Sequence, residues 1–90
     1  MSVITDKIPV TELLAGLAEE ATELAQAALK LRRCYDGTNP TTADPDIQYE
    51  CFLEEIGDVE LYLDQMSINR QVIADYKAAK LERWQKRLEG

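Results

Sequence analysis

Apolar residues in the first third of the chain recur at intervals of three and four, which is the spacing of one face of an α-helix. This first apolar stripe consists of Val10, Leu13, Leu17, Ala21, Leu24, Ala28 and Leu31. It predicts a helix from about residue 8 to residue 33.

A second apolar stripe follows in the middle of the chain and consists of Phe52, Ile56, Val59, Leu63 and Met66. Asp44 is a good N-cap and Pro45 suits the first helical position, so a second helix is predicted from about 45 to 66. The segment 35–44 between the two helices is rich in Gly, Pro, Asn, Asp and Thr and has no apolar period. It is therefore predicted to be a loop, with a role in substrate recognition left open.

A third helix is predicted from about 69 to 88, because Ser67 and Asn69 have short polar side chains that favour helix caps over helix interiors. Its apolar positions are sparser and comprise Val72, Ile73, Tyr76, Leu81 and Trp84. The patterning as a whole predicts an all-α fold, in which a three-helix chain forms an oligomeric helical bundle.

The length of 90 residues corresponds to a single domain. A chain this short buries only about 60 to 65% of the surface of its unfolded state, so we expect a homodimer or homotetramer. The net charge of −7 argues against binding to a nucleic acid polymer or to anionic lipid. Segments of about 18 apolar residues are absent, so we expect a cytoplasmic protein with no membrane association.

Charge is divided unevenly along the sequence. Residues 68–90 carry six basic and three acidic side chains, whereas residues 1–67 carry four basic and fourteen acidic ones. The two cysteines, Cys34 and Cys51, are too few for a disulfide framework. We interpret both as small buried apolar residues of a protein in a reducing compartment.

The strongest internal similarity is a Glu-Glu-x-x-acid motif that occurs in each of the first two predicted helices. The first copy is Glu19, Glu20 and Glu23, and the second, 35 positions later, is Glu54, Glu55 and Asp58. In each helix the last two acids lie one turn apart, at the same side of the apolar stripe. Two antiparallel helices would bring the two pairs together at the rim of their contact.

Four crowded carboxylates repel one another and lose hydration, a cost that is met by proton uptake or by a cation. Oxygen ligands favour Mg²⁺ or Mn²⁺, and the absence of histidine disfavours zinc and di-iron sites. The alternative is a solvated acidic helix face. Against this alternative, no Lys or Arg lies three or four positions from any of the four acids, although such spacing is usual in exposed helix pairs.

The motif Glu19-Glu20-x-x-Glu23 is followed by Glu55-x-x-Asp58 and then by basic residues in a terminal helix. In this order and helical context, the motif resembles that of the MazG-like all-α nucleoside triphosphate pyrophosphohydrolases. The resemblance extends from about Leu13 to Arg87. It implies an oligomeric helical bundle that cleaves (d)NTP to (d)NMP and pyrophosphate, with a house-cleaning role in the nucleotide pool.

The resemblance also implies roles for individual residues. The implied Mg²⁺ ligands, with Mn²⁺ as a substitute ion, are Glu20, Glu23, Glu55 and Asp58. Glu19 would orient or deprotonate the attacking water. The basic ridge of Lys77, Lys80 and Arg83 would hold the outgoing pyrophosphate. The competing hypothesis is a non-catalytic oligomerisation or regulatory module with a solvated acidic face.

Overall fold

The computed structural model describes residues 7–37 and 44–90, and within them the secondary structure is entirely helical. The three helices are α1 (Val10–Asp36), α2 (Pro45–Asp64) and α3 (Arg70–Glu89). The predicted all-α class and the order of the helices are confirmed. None of the predicted helix ends lies more than three residues from the observed one.

Helix α1 extends further than its apolar stripe indicates, since it includes three residues that were predicted to lie in or next to the loop. It ends at Gly37, which has φ 69° and donates its backbone N–H to the carbonyl oxygen of Arg33. Glycine adopts this left-handed conformation without steric cost, so the helix continues through Asp36 until it reaches Gly37. Residues 38–43 of the predicted loop lie outside the described residues.

Side-chain caps start the other two helices, as the sequence predicts. The Asp44 carboxylate accepts the backbone N–H of Asp46 at 2.9 Å. The Asn69 side-chain oxygen accepts the backbone N–H of Val72 at 3.2 Å. Helix α2 ends at Asp64, two residues earlier than predicted, and the exposed ion pair between Asp64 and Arg70 at 3.4 Å bridges the break to α3.

Helices α1 and α2 form an antiparallel hairpin. Gly16, near the start of α1, lies against Tyr62 at the end of α2, whereas Leu31 and Phe52 line a common cavity at the opposite end. The buried residues of this hairpin are Leu13, Gly16, Ala27 and Leu31, all on α1. Small residues at positions 16 and 27 allow α2 to approach α1 closely at these points.

The contact between the two helices does not lie at the centre of the predicted apolar stripes. At about 100° per residue, Gly16, Glu20 and Ala27 lie roughly 60 to 100° to one side of the centre of the first stripe. Val10 is 60% exposed and Ala28 is also exposed, so the contact with α2 covers only part of the first apolar stripe. The apolar positions of the second stripe are only half-buried, because a single neighbouring helix covers one side of α2.

The cysteines are not joined in a disulfide, since both appear as thiols. Cys34 is half-buried and Cys51 is exposed. The interpretation of both as buried is therefore wrong for Cys51, which precedes Phe52 and faces away from the apolar stripe of α2.

Helix α3 projects from the hairpin. Its α-carbons do not come within 8 Å of those of α1 or α2. Every residue of α3 is exposed except Ile73, which is half-buried. The chain accordingly has an extended outline of 46 × 38 × 18 Å. Within residues 7–37 and 44–90, no helix combines the length and the apolar content that a membrane crossing requires.

Candidate functional site

The two predicted acid pairs meet midway along the α1–α2 hairpin. One carboxylate oxygen from each of Glu20, Glu23 and Glu55 can be chosen so that all three lie within 4.8 Å of one another. Asp58 lies near enough for its charge to raise the pKa values of Glu20 and Glu55. We call these four residues the acidic quartet. The antiparallel arrangement of α1 and α2 thus brings three of the four predicted metal ligands together and places the charge of the fourth, Asp58, near them.

Two carboxylate oxygens of the acidic quartet are buried without a hydrogen-bond partner among the described residues. They are Oε2 of Glu20 and Oε2 of Glu55. Both residues are half-buried at the contact between α1 and α2, where the sequence predicts the two acid pairs to meet. A buried acceptor that lacks a donor is unfavourable, because the lost hydration is not replaced. These two oxygens distinguish the quartet from an ordinary solvated acidic face.

The pKa values of Glu20 and Glu55 reflect the same unfavourable burial of carboxylates. Burial, followed by the charges of Glu23, Asp58 and Glu55, raises the pKa of Glu20 from 4.5 to about 7. While both carboxyls are ionised neither can donate to the other, but a protonated Glu20 can donate a hydrogen bond to Glu55, and this raises the pKa of Glu20 further. The pair of Glu20 and Glu55 therefore holds a proton at pH values where a free glutamate is ionised.

Glu55 is affected by the same surroundings. Burial raises its pKa, and the charges of Glu23 and Asp58 raise it further. The hydrogen bond with Glu20 acts in the opposite direction and lowers the pKa of Glu55, because it stabilises the ionised form. The pair therefore favours an arrangement in which one proton, or one cation, is shared between two carboxylates.

No basic side chain compensates these charges in the part of the chain that the structure describes. Its three ion pairs are Arg32 with Asp36, Arg70 with Asp64, and Lys86 with Glu82. None of them includes a member of the quartet. The negative charge at the hairpin contact is thus left to protons or to a bound cation.

The donor set fits a hard divalent cation. Three carboxylates converge from two helices, and Mg²⁺ and Mn²⁺ prefer oxygen ligands. Glu23 is exposed while Glu20 and Glu55 are half-buried, so one side of the cluster faces solvent. Acidic clusters are common without an ion, and it is the two unpaired buried oxygens that favour a cation here.

The remaining predicted site residues lie outside the quartet. Glu19 is exposed on α1, next to Glu20 but turned away from the contact with α2. Lys77, Lys80 and Arg83 are exposed on α3, and the ammonium of Lys80 lies 5.2 Å from the centre of the Trp84 ring. Because α3 does not approach α1 or α2, the structure does not bring the basic ridge and the quartet together within one chain.

Two features of the α1–α2 hairpin were not predicted. The ring of Tyr62 packs directly on Gly16, one helical turn from Asp58 and from Glu20 respectively. A glycine inside an otherwise apolar helical pattern is the signal that indicates such a close approach. Oε1 of Gln65 is also buried without a partner among the described residues, and no sequence pattern indicates this.

Comparison of the chain with protein-family models, with characterised proteins and with solved structures gives no match.

Proposed function

We propose that this protein is a metal-dependent nucleoside triphosphate pyrophosphohydrolase of the MazG-like kind, which cleaves (d)NTP to (d)NMP and pyrophosphate. The observation that carries the proposal is the acidic quartet, in which two buried carboxylate oxygens lack a partner among the described residues. The order and spacing of the motif acids, which match the pattern of that family, support the same assignment.

In this proposal Glu20, Glu23, Glu55 and Asp58 hold Mg²⁺, or Mn²⁺ in its place. When bound, such an ion neutralises phosphate oxygens and lowers the pKa of a bound water. The quartet needs this positive charge for a second reason, since four carboxylates without a counter-ion repel a triphosphate.

The residues outside the quartet would act on the water and on the leaving group. Glu19, which is exposed on α1 and adjacent to Glu20 in sequence, would accept a proton from the attacking water. The water oxygen forms a new bond to phosphorus as the bridging P–O bond to the departing pyrophosphate breaks. Lys77, Lys80 and Arg83 would balance the charge of that pyrophosphate, which requires α3 to approach a quartet.

A second candidate function is a non-catalytic oligomerisation or regulatory module. The extended shape of the chain and its exposed third helix favour this alternative. Such a module would show no turnover, and removal of like charges from its acidic face would raise its stability whether or not metal is present.

The deciding experiment is to measure pyrophosphate and monophosphate release from the eight common NTPs and dNTPs, with Mg²⁺, with Mn²⁺ and with a chelator. Wild type is compared with Glu20→Gln and with the control Glu60→Gln, which changes an exposed glutamate of α2 outside the quartet. We expect metal-dependent release of both products by wild type and by the control, and none by Glu20→Gln.

Other outcomes contradict the proposal in different ways. Release of single phosphate would indicate cleavage of a different bond. An absence of turnover combined with a metal-dependent rise in melting temperature would favour a metal-binding module. An absence of both turnover and any metal-dependent rise in melting temperature would favour the non-catalytic oligomerisation or regulatory module.

A further inference from the structure

We infer that Lys30 of α1 contacts the phosphates of a triphosphate held at the acidic quartet of its own chain. This inference rests on the proposed function, because it concerns the same substrate and the same site. It adds a cation that belongs to the α1–α2 hairpin itself, whereas the basic ridge of α3 does not approach the quartet within one chain.

Lys30 lies on the side of α1 on which the quartet faces solvent. Glu23 marks this side, because it is the exposed member of the three converging carboxylates. Lys30 follows Glu23 by seven positions, so the two residues differ by only about 20° around the helix and by about 10 Å along it. Lys30 is itself exposed. A triphosphate that extends from the quartet along α1 therefore comes within reach of its long, flexible side chain.

The charge on this side of α1 changes sign at the quartet. At about 100° per residue, Glu12, Glu19 and Lys30 all lie within about 40° of Glu23. The two other glutamates precede Glu23 in the helix, and the lysine follows it. A row of anionic phosphates is repelled in the first direction and attracted in the second. The charges of α1 therefore orient the phosphates toward Lys30.

Lys30 has no acidic partner within the part of the chain that the structure describes. The residues three and four positions away on either side are Gln26, Ala27, Arg33 and Cys34. None of the ion pairs among the described residues includes Lys30. Lys30 also precedes the last turn of α1, where a basic residue interacts with the helix macrodipole. An ordinary structural role for its charge is therefore not evident on its own helix.

Helix α2 does not supply a partner for Lys30 either. Glu23 and Asp58 are both rotated from the α1–α2 contact toward lower helical angle, which in antiparallel helices leads to one common side of the pair. The residues that continue the position of Asp58 toward the start of α2 are Cys51 and Ile47, which lie within about 20° of it and are uncharged. The ammonium of Lys30 is therefore available to an anionic ligand.

The test measures equilibrium binding of the α,β-methylene analogues of dATP, dCTP, dGTP and dTTP by isothermal titration calorimetry in the presence of Mg²⁺. These probes cannot be cleaved between the α and β phosphates, so binding is measured apart from turnover. Lys30→Gln removes the charge and Lys30→Arg keeps it. The matched control is Arg32→Gln, which removes an exposed charge on the opposite side of α1, where Arg32 pairs with Asp36 at 3.2 Å.

For each analogue that wild type binds, Lys30→Gln should raise Kd about tenfold or more, the range for one charge-assisted hydrogen bond. Lys30→Arg and Arg32→Gln should stay within about threefold of wild type, because the first retains the charge and the second removes only a screened, distant one. The Mn²⁺-dependent rise in melting temperature should be equal in wild type and Lys30→Gln, since Lys30 does not hold the ion.

Three binding results would overturn the inference: equal Kd values for wild type and Lys30→Gln, equal weakening by Lys30→Gln and Arg32→Gln, and binding of no analogue by wild type. Loss of the Mn²⁺-dependent rise in Lys30→Gln would also overturn it, because Lys30 would then act through the quartet. Weaker binding by Lys30→Gln, combined with no pyrophosphate release by wild type, would support the contact and contradict the proposed function. Pyrophosphate release by Lys30→Gln at the KM of wild type would support the function and contradict the contact.

Discussion

Gly16 of α1 and Tyr62 of α2 are in direct contact, and a β-carbon added at position 16 would overlap the tyrosine ring. This contact lies one helical turn from Glu20 on α1 and one turn from Asp58 on α2. It therefore fixes the distance and the register of the two helices at the point where the acidic quartet forms.

Replacement of Gly16 by alanine should lower the free energy of unfolding by about 1 to 3 kcal/mol, because the added methyl group overpacks the contact with Tyr62. This loss should appear although alanine has the higher helix propensity. The matched control is Gly57→Ala on α2, where an added β-carbon meets no atom within 4 Å. That change should raise stability by up to about 1 kcal/mol, since only the propensity effect remains. Urea denaturation of the two variants measures both effects, and equal stabilisation by both would contradict the close contact.

Stability in the presence of a chelator should depend on pH through Glu20. The pKa of Glu20 is about 7 in the folded chain, against a usual value of 4.5. Between these two pH values the folded chain retains a proton that the unfolded chain has lost, so the contribution of Glu20 to stability falls as pH rises from about 4.5 to about 7. Glu20→Gln mimics the protonated form and should lack this contribution to the pH dependence.

Urea midpoints of wild type and Glu20→Gln, measured at several pH values from 4 to 8, test this expectation. The difference between the two proteins should increase in favour of the variant as the pH passes from about 4.5 to about 7. Glu60→Gln serves as the control for the loss of one negative charge on the hairpin, because Glu60 is exposed and lies outside the quartet. A difference between wild type and Glu20→Gln that does not change with pH would show that Glu20 titrates normally.

The proposed roles of Glu19 and Glu20 predict different responses of their variants to metal. Glu19→Gln should lower kcat by about 10² to 10⁴-fold, the range for loss of a general base, while metal still raises the melting temperature. Glu20→Gln should lose both turnover and the metal-dependent rise. Steady-state kinetics and thermal melts with and without Mn²⁺ distinguish the two variants. Wild-type kcat in Glu19→Gln would exclude Glu19 as the base.

Phosphate contact by the basic ridge predicts a defect in substrate binding. Lys80→Ala and Arg83→Ala should each raise KM for the triphosphate by about tenfold or more, the range for one charge-assisted hydrogen bond. Lys86→Ala is the matched control, because Lys86 is exposed on the same helix and pairs with Glu82 at 3.3 Å. KM values equal to that of wild type in all three variants would show that α3 does not contact the substrate.

The local structure of this protein follows from its sequence because the signals are short-range. The four and three residue spacing of Leu17, Ala21 and Leu24 places the first helix, and the side chains of Asp44 and Asn69 accept backbone N–H groups at the starts of the other two. The repeated motif also identified Glu20, Glu23 and Glu55, whose carboxylates converge, and Asp58, whose charge acts on Glu20 and Glu55. The end of α1 was predicted three residues too early, because the helix continues through Asp36 until it reaches Gly37, and this error is confined to one helical turn.

Tertiary structure alone decided which edge of the apolar stripe α2 covers. Small residues at Gly16 and Ala27 let α2 approach one edge of the stripe, and Tyr62 occupies the space that a side chain at position 16 would need. This choice buries one carboxylate oxygen of Glu20 and one of Glu55, and it leaves Val10 and Leu14 exposed. Periodicity specifies which residues share a helix face, whereas the lateral position of a neighbouring helix depends on the shapes of both surfaces, which meet only in the folded chain.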